Sequence, residues 1–264
     1  MALPTFDLHR PQSVGEAIAL LDEDCIPYGG GTELLMAMRM GLMRPGGLVD
    51  LKRIPELGRI ELGDGGLAIG AGASHDRIAR NELVREHAAL LATAEQLVGN
   101  ARVRAQGTVG GNICFAEPRS DVATVLVALD ALLVLRSASG ERTVPAAEFF
   151  LGPYWTVREP GELLVAITVP LPAPVGVYVK FQTVERPTVA VAAVRRPDGT
   201  VRVVVGAVGD LPTAADYADL GAVDAEELVA RVEPVPDLTG SERYKRHVTG
   251  VVVGRALTGL ADAS

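Results

Sequence analysis

Two glycine-rich segments contain the residues of this chain that are best suited to bind an anionic ligand. The first is Tyr28–Thr32, with the sequence YGGGT, and apolar residues recur at helical spacing directly after it. Because glycine has no Cβ, a ligand can approach its backbone closely, and consecutive N–H groups at the start of a helix attract anions. A tight strand-to-helix turn without a ligand would have the same sequence, so this segment alone leaves both interpretations open.

The second segment favours a ligand more strongly. Thr108–Asn112 (TVGGN) offers backbone donors, small side chains and an amide, and Ser120 and Asp121 follow shortly after it. Two such segments together can hold a diphosphate, while the Asp121 carboxylate can accept hydrogen bonds from the hydroxyls of a sugar alcohol. We therefore expect a dinucleotide as the ligand.

The common nucleotide-binding motifs are absent. The sequence GGGTEL does not match G-x-G-x-x-G, and no G-x-x-x-x-G-K-[ST] occurs, which disfavours kinases and ordinary Rossmann dehydrogenases. Asp50 lies about 20 residues after the first glycines, at the end of a predicted strand, and this spacing keeps a Rossmann-like site open as a second possibility.

The elements around the first segment form a predicted βαβ unit. Cys25–Tyr28 (CIPY) is a strand-like run, residues 32–40 have helical spacing with Thr32 at the helix start, and residues 46–51 (GGLVDL) resemble the next strand. About thirty residues is the usual length of such a unit. Upstream, Ser13 and Glu16 have the spacing of a capping box, which predicts a short helix.

Helices are predicted on both sides of the second segment. Residues 74–98 have helical apolar spacing, and Asp121 is expected to cap the helix DVATVLVALD. A hairpin is predicted around the turn at 63–66. Further strands are predicted at 131–137, 162–170, 177–183, 188–194 and 201–208, and further helices at 223–232 and 241–262. The proline-rich stretch at 171–176 (LPAPVG) is a plausible linker.

Composition excludes several classes of function. The 264-residue chain has a formal net charge of −8 with dispersed Lys and Arg, which argues against a nucleic-acid surface. Its two cysteines, Cys25 and Cys114, are too few and too far apart for a zinc site or an iron–sulfur cluster. No apolar run approaches the roughly 18 residues of a membrane span, and the N-terminus does not resemble a secretory signal, so we expect a cytoplasmic protein.

Five stretches, in this order along the chain, resemble one known family. They are YGGGTELL, TVGGNICFAEPRSD, FFLGPYWTVREPGELLVAITVP, YVKF and SERYKRHVTGVVVGRAL. Together they cover nearly the whole chain and resemble the medium, FAD-binding subunit of molybdenum hydroxylases, the carbon monoxide dehydrogenase and xanthine dehydrogenase family.

The resemblance implies an α+β fold in two parts. Residues 1–174 would form an FAD-binding domain of the vanillyl-alcohol oxidase type, with α+β subdomains at about 1–55 and 56–174. Residues 175–264 would form a C-terminal domain of the carbon monoxide dehydrogenase flavoprotein type, a small α+β domain with a three-stranded antiparallel sheet and helices.

The resemblance also implies a function in electron transfer. FAD would be bound in this chain, while molybdopterin and [2Fe–2S] clusters would belong to a large and a small partner subunit, in a dimer of heterotrimers. Electrons would pass from the clusters to the flavin and then to NAD, a quinone or oxygen. Two alternatives remain open: a self-contained FAD oxidase or reductase, and a structural assembly subunit that no longer uses flavin.

The family's flavin-binding residues can be placed on this sequence position by position. In the first segment the backbone would face the diphosphate; Asp121 would bind ribityl or neighbouring hydroxyls, Leu164 would pack near the flavin ring and Lys180 would approach it. No residue is expected to be catalytic or to bind a metal. The expected cofactor-binding residues are Tyr28, Gly29, Gly30, Gly31, Thr32, Glu33, Leu34, Thr108, Gly110, Gly111, Asn112, Cys114, Ser120, Asp121, Leu164 and Lys180.

Three positions depart from the family's commonest pattern. Phe115 and Glu117 stand where relatives often have His and Asp, and Thr188 stands where Asp is frequent. These departures concern the surroundings of the flavin, so the resemblance leaves the electron acceptor open.

Overall fold

Three β-sheets and one short hairpin follow one another along the chain in the computed structural model, which describes residues 2–263. The first region contains β1 (Asp7–His9), α1 (Val14–Ile18), β2 (Cys25–Tyr28), α2 (Leu34–Arg39) and β3 (Gly47–Asp50), followed by 3₁₀ turns at Leu51–Arg53 and Pro55–Gly58. Its strands are parallel in the order β1-β3-β2. The predicted βαβ unit is confirmed.

Parallel pairing decides where the first glycine-rich segment lies. Tyr28 pairs with Asp50 at the ends of β2 and β3, so the chain leaves both strands at the same sheet edge, where ligands bind in open α/β sheets. Asp50 itself accepts a hydrogen bond from the backbone of Lys52 at 3.1 Å and caps the 3₁₀ turn.

The second region is an antiparallel five-stranded sheet with a group of helices. The sheet order is β4-β5-β10-β6-β7, and the predicted hairpin is formed by β4 and β5. The elements are β4 (Ile60–Gly63), β5 (Gly66–Gly70), α3 (His75–Arg80), α4 (Glu82–His87), α5 (Ala89–Leu97), α6 (Ala101–Gln106), α7 (Val109–Phe115), α8 (Asp121–Ala128), β6 (Leu132–Ser137), β7 (Gly140–Pro145), α9 (Ala146–Phe149), β8 (Phe150–Gly152), β9 (Trp155–Thr156) and β10 (Leu163–Val169).

Two predictions for these helices are wrong in detail. The helical stretch at 74–98 is divided into three helices, because Asn81 has extended backbone and caps α4 through its side chain, and Ala88 interrupts the next turn with φ −143° and ψ 52°. The cap of α8 is Ser120 rather than Asp121: the Ser120 hydroxyl accepts the N–H of Ala123 at 3.2 Å, and Asp121 is the first helical residue.

The third region is an antiparallel meander packed between helices. It contains β11 (Val175–Phe181), β12 (Val189–Arg195), β13 (Val201–Gly206), β14 (Thr213–Tyr217), α10 (Ala225–Arg231) and α11 (Glu242–Asp262), with a 3₁₀ turn at Leu220–Ala222. The sheet has four strands, so the expected number of three is wrong. The fourth strand, TAADY, is rich in Ala and Asp, which have low strand propensity. Its hydrogen bonds to β13 stabilise the strand conformation that its composition does not favour.

Both faces of the third sheet are buried. Val189, Val191 and Ala193 pack in one core with α10 and α11, while Ala190 and Ala192 of the same strand pack in the large central core with α8. This explains why β12 reads VAVAAV without polar alternation. The α+β fold class is confirmed, whereas the proposed boundary at 174/175 stays a prediction.

Candidate functional site

A cavity of about 570 Å³ lies where the three regions meet, and both glycine-rich segments line it. Its volume is in the ordinary range of ligand sites. All sixteen expected binding residues line this cavity except Tyr28 and Lys180. The structure therefore brings together residues that are separated by more than one hundred positions in the sequence.

The first glycine-rich segment presents unused backbone donors to the cavity. The N–H groups of Gly30, Gly31, Thr32 and Glu33 donate to no acceptor within the described residues. Helix α2 begins at Leu34, not at Thr32 as predicted, and no side chain caps it. Four consecutive free donors before a helix are an arrangement that attracts an anion.

The second glycine-rich segment is not a turn but the beginning of helix α7. Thr108 is its cap, and its Oγ1 accepts the N–H of Gly111 at 3.2 Å. The N–H of Gly110 donates to Ala71 O at 2.9 Å, and that of Asn112 donates to Thr108 O at 2.9 Å. The backbone donors of this segment are therefore already used by the protein.

The glycines also allow the two segments to touch. A Cβ on Gly30 would lie 2.1 Å from Gln106 O, and one on Gly29 would lie 2.8 Å from Thr108 Oγ1. Gly31 has a φ of +73°, and a Cβ there would meet the Tyr28 ring at 2.5 Å. Close packing of main chain, and not only access for a ligand, accounts for these glycines.

Side chains near the second segment supply the polar groups of the cavity. Ser120 Oγ donates to Asn112 Oδ1 at 2.6 Å, which orients the amide and leaves Asn112 Nδ2 without an acceptor among residues 2–263. Asp121 is buried, and its Oδ1 accepts both Tyr178 Oη at 2.6 Å and Lys180 Nζ at 2.9 Å. Burial raises the pKa of Asp121 above its ordinary value, against the opposing effects of Lys180 and Tyr178.

Comparison with known proteins decides between the possible ligands. The family described as FAD binding domain in molybdopterin dehydrogenase matches residues 4–172. The carbon monoxide dehydrogenase medium chain of Hydrogenophaga pseudoflava is 34% identical, over 97% of both chains. The glyceraldehyde dehydrogenase medium chain of Sulfolobus acidocaldarius is 30% identical, over 98% of this chain and 99% of that one.

The chain belongs to this FAD-binding family.

A solved structure agrees with the sequence relatives. Carbon monoxide dehydrogenase from Hydrogenophaga pseudoflava, in a form lacking the Mo-pyranopterin moiety, contains a chain that superposes with a TM-score of 0.91 at 34% identity, covering 100% of this chain and 99% of that one. The chain is thus an oxidoreductase subunit of the FAD-binding, medium-chain type, and its cofactor is FAD, as predicted.

The residues of the cavity fit FAD. Free backbone donors in the first segment suit the diphosphate, and the Asn112 amide and Asp121 carboxylate suit hydroxyl groups. Apolar residues complete the walls and suit the flat ring systems of the cofactor. The apolar lining residues include Ile26, Pro27, Leu51, Ile54, Leu57, Val98, Val103 and Leu164. Which of these contacts each part of FAD stays a prediction.

Lys180 and Tyr28 do not line the cavity. Lys180 Nζ lies 2.9 Å from Asp121 Oδ1 and donates to Leu97 O at 2.7 Å, so these contacts hold the ammonium group beside Asp121 and not at the cavity surface. The Tyr28 ring is covered by Lys52 Nζ, 3.6 Å from its centroid. Direct contact of either side chain with FAD stays a prediction, and the geometry gives Lys180 a clear second role as the partner of Asp121.

Cys114 lines the cavity as a partly buried residue. Burial raises its pKa to about 11, and Arg158 opposes this only in part. The thiol is therefore protonated at neutral pH and would not act as a nucleophile. Contact of Cys114 with the cofactor stays a prediction.

An ionic cluster at the cavity wall was missed by the sequence analysis. Arg186 pairs with Glu33 and with Glu117, and Glu117 also accepts Tyr154 Oη at 2.8 Å and Arg119 Nε at 3.2 Å. Glu117 drew attention only because it departs from the family pattern. No local signal could connect Glu33 with Arg186, since 153 positions separate them.

Residues 2–263 contain no group of three or more His, Cys, Asp or Glu side chains arranged to hold a metal ion. Within the same residues, no helix has both the length and the apolar character needed to span a bilayer.

Proposed function

We propose that this chain carries electrons through FAD within a molybdenum hydroxylase complex, and that substrate is oxidised on another subunit. The observation that carries the proposal is the single cavity at which the free backbone donors of the first glycine-rich segment meet helix α7. Bound FAD supplies the capacity to accept and release electrons singly or in pairs. Support for the complex comes from relatives named medium chains over almost their full length.

The chain's own residues have distinct tasks in this proposal. The N–H groups of Gly30–Glu33 bind the diphosphate, and the Asn112 amide and Asp121 carboxylate orient the hydroxylated part of the cofactor. Lys180 and Tyr178 hold Asp121 in place by two hydrogen bonds to the same oxygen. Leu164, which is buried, excludes water from the ring-binding wall.

The proposed assembly includes a large molybdopterin subunit and a small [2Fe–2S] subunit, as a dimer of heterotrimers in the cytoplasm. In this proposal the electrons that reach FAD come from the [2Fe–2S] clusters of the small subunit. The acceptor is NAD, a quinone or oxygen. Copurification of the native complex, followed by metal analysis and acceptor assays, tests the partners and the acceptor together.

The cofactor assignment has a direct test. The full chain is purified, denatured and analysed for released flavin, and we expect one FAD per chain. A colourless chain that binds no added FAD would favour the structural assembly subunit. Oxidation of organic substrates by the isolated chain would favour a self-contained oxidase or reductase, whereas we expect only electron exchange with artificial donors and acceptors.

Replacement of Asp121 by Asn tests the binding site itself. We expect FAD to dissociate faster, and the FAD-free chain to lose about 2 kcal/mol of stability, because Lys180 would lose its carboxylate partner where both side chains are largely shielded from solvent. FAD titration and urea denaturation without FAD measure the two effects separately. Unchanged FAD affinity in this variant would remove Asp121 from the proposed site.

A further inference from the structure

Part of the cavity wall comes from outside the matched FAD-binding domain. The family match ends at residue 172, but Glu185 and Arg186, in the loop between β11 and β12, line the cavity. This loop, residues 182–188, connects two strands of the third sheet. The third sheet therefore reaches back to the site through one short connection.

The loop is attached to the cavity wall on two sides. Arg186 Nη2 donates to both carboxylate oxygens of Glu33, at 2.7 and 2.9 Å, and Arg186 Nη1 pairs with Glu117. Glu185 Oε1 accepts Asn100 Nδ2 at 2.5 Å. One guanidinium thus joins the residue that precedes α2 to the connection between α7 and α8, and the adjacent residue joins the cap of α6.

The charges at this point require compensation if an anionic ligand is bound. Glu33 and Glu117 both line a cavity suited to a diphosphate, and two uncompensated carboxylates would repel it. Glu33 has no ion-pair partner other than Arg186 within the described residues, while Glu117 also has Arg119. The planar guanidinium fork can serve two carboxylates at once, which an ammonium group does less well.

The directions of the pKa shifts agree with this geometry. Burial raises the pKa of Glu117, but Arg186, Tyr154 and Arg119 together lower it by more than burial raises it. The net pKa is therefore below its ordinary value. Burial lowers the pKa of Arg186, and the two glutamates reverse this, so the net pKa is raised. Each charge is therefore stabilised by the others.

We propose that Arg186 completes the FAD site from the third sheet, as a positioning residue that neutralises Glu33 and Glu117 and holds the loop at 182–188 against the cavity. The proposal rests on the binding of FAD in this cavity. It makes retention of the cofactor depend on a residue that the matched FAD-binding domain does not contain.

A second arginine provides a matched control. Arg196, at the far end of the same sheet, also bridges two carboxylates: its Nε lies 2.8 Å from Asp130 Oδ2 and its Nη1 lies 2.9 Å from Asp216 Oδ1. Asp130 follows α8, so this bridge also joins the third sheet to the second region. Arg196 does not line the cavity. Together with Arg202, which pairs with the same two carboxylates, it joins the third sheet to the second region away from the cavity.

The experiment measures the rate of FAD dissociation from the full chain, for wild type, Arg186→Ala and Arg196→Ala. We expect Arg186→Ala to release FAD about tenfold faster, because Glu33 and Glu117 would then face the anionic cofactor without the guanidinium between them. Arg196→Ala should stay within about twofold of wild type, because Arg196 does not line the cavity. The double variant Glu33→Gln/Arg186→Ala also lacks the Glu33 charge. We expect it to release FAD about threefold more slowly than Arg186→Ala.

The outcomes separate this proposal from the proposed function. A wild-type chain that binds no FAD would end the proposed function first. A wild-type chain that retains FAD, with Arg186→Ala at the same rate, would overturn only the role of Arg186. Equal acceleration in Arg186→Ala and Arg196→Ala would also overturn it, because loss of docking alone would then explain the effect. If Arg186→Ala does not fold, Arg186→Gln, which removes the charge but keeps a polar side chain, serves instead, and a wild-type rate in that variant contradicts the proposal.

Discussion

The two glycine-rich segments have similar sequences but use their glycines differently. In Tyr28–Thr32 the backbone donors from Gly30 onward are free, whereas in Thr108–Asn112 the N–H groups are bonded to Ala71, Ala73 and Thr108. The first segment can therefore bind a ligand through its main chain. The second segment gives the cavity its shape and brings the Asn112 side chain to it. Glycine content alone does not distinguish these two tasks.

Gly30→Ala is the largest perturbation, because it tests the contact between the segments. The new Cβ would lie 2.1 Å from Gln106 O and 2.7 Å from Gly107 Cα, and neither backbone atom can rotate away. We expect the free energy of unfolding of the FAD-free chain to fall by about 3 kcal/mol in urea denaturation. Gly254→Ala is the control: nothing lies within 4 Å of its Cβ position in α11, so it should gain up to about 1 kcal/mol. Unchanged stability of Gly30→Ala would mean that the segments are not in contact.

Gly111→Ala should affect FAD more than the fold. Its Cβ would meet only Thr108 Oγ1, at 2.9 Å, and would otherwise point to open space. We expect FAD affinity, measured by fluorescence titration, to fall about tenfold, or 1.4 kcal/mol. Urea denaturation without FAD should change by less than about 1 kcal/mol, because alanine favours the helix. A variant that is clearly less stable in urea but binds FAD with normal affinity would show that Gly111 serves only packing.

Thr108→Ala removes the cap of α7 and with it the side-chain bond to Gly111 N–H. We expect a loss of about 1 kcal/mol in thermal or urea unfolding, while Thr108→Ser should keep most of the stability. The same substitution at Thr32, which caps no helix, should change stability less. Equal losses at the two threonines would contradict the difference between the segments.

The smallest expected effect concerns pH and Glu117, which links both segments through Arg186. The pKa of Glu117 is lowered in the folded chain, so its contribution is fully present above its ordinary pKa of 4.5 and is lost as the pH falls through the lowered value. Glu117→Gln should therefore cost under about 1 kcal/mol at pH 7. The difference from wild type should disappear toward pH 3 in thermal unfolding scans, and a difference that persists there would have another cause.

Local patterns predicted most elements, and they failed where distant contacts decide the structure. The βαβ unit, the hairpin and the last two helices followed from apolar spacing and turn residues. β14 did not, because its Ala and Asp residues form a strand only through pairing with β13. The helical conformation of Gly110 and Gly111 also escaped prediction, since Thr108 as cap and Ala71 as acceptor outweigh the low helix propensity of glycine.

In the candidate site, too, local motifs were predictable from the sequence, whereas contacts between distant residues were not. Residues in motifs, such as Gly30 and Asp121, were placed at the cavity by their resemblance to the family. Lys180 was expected at the flavin, but its position behind Asp121 depends on the packing of the third sheet. The role of Arg186 at the cavity could not be predicted, because no local sequence pattern indicates an ion pair between residues 153 positions apart.

The burial of β12 on both faces has a consequence for how this protein can be divided. A shortened chain that stops at residue 174 would lose Ala190, Ala192 and Val194 from the central core, together with Tyr178. The apolar side chains of α8 that pack against the third sheet would then be exposed to solvent, and Asp121 would lose both of its hydrogen-bond donors. We therefore expect the part of the chain that matches the FAD-binding family to depend on the third sheet for the packing of α8 and for both hydrogen bonds to Asp121.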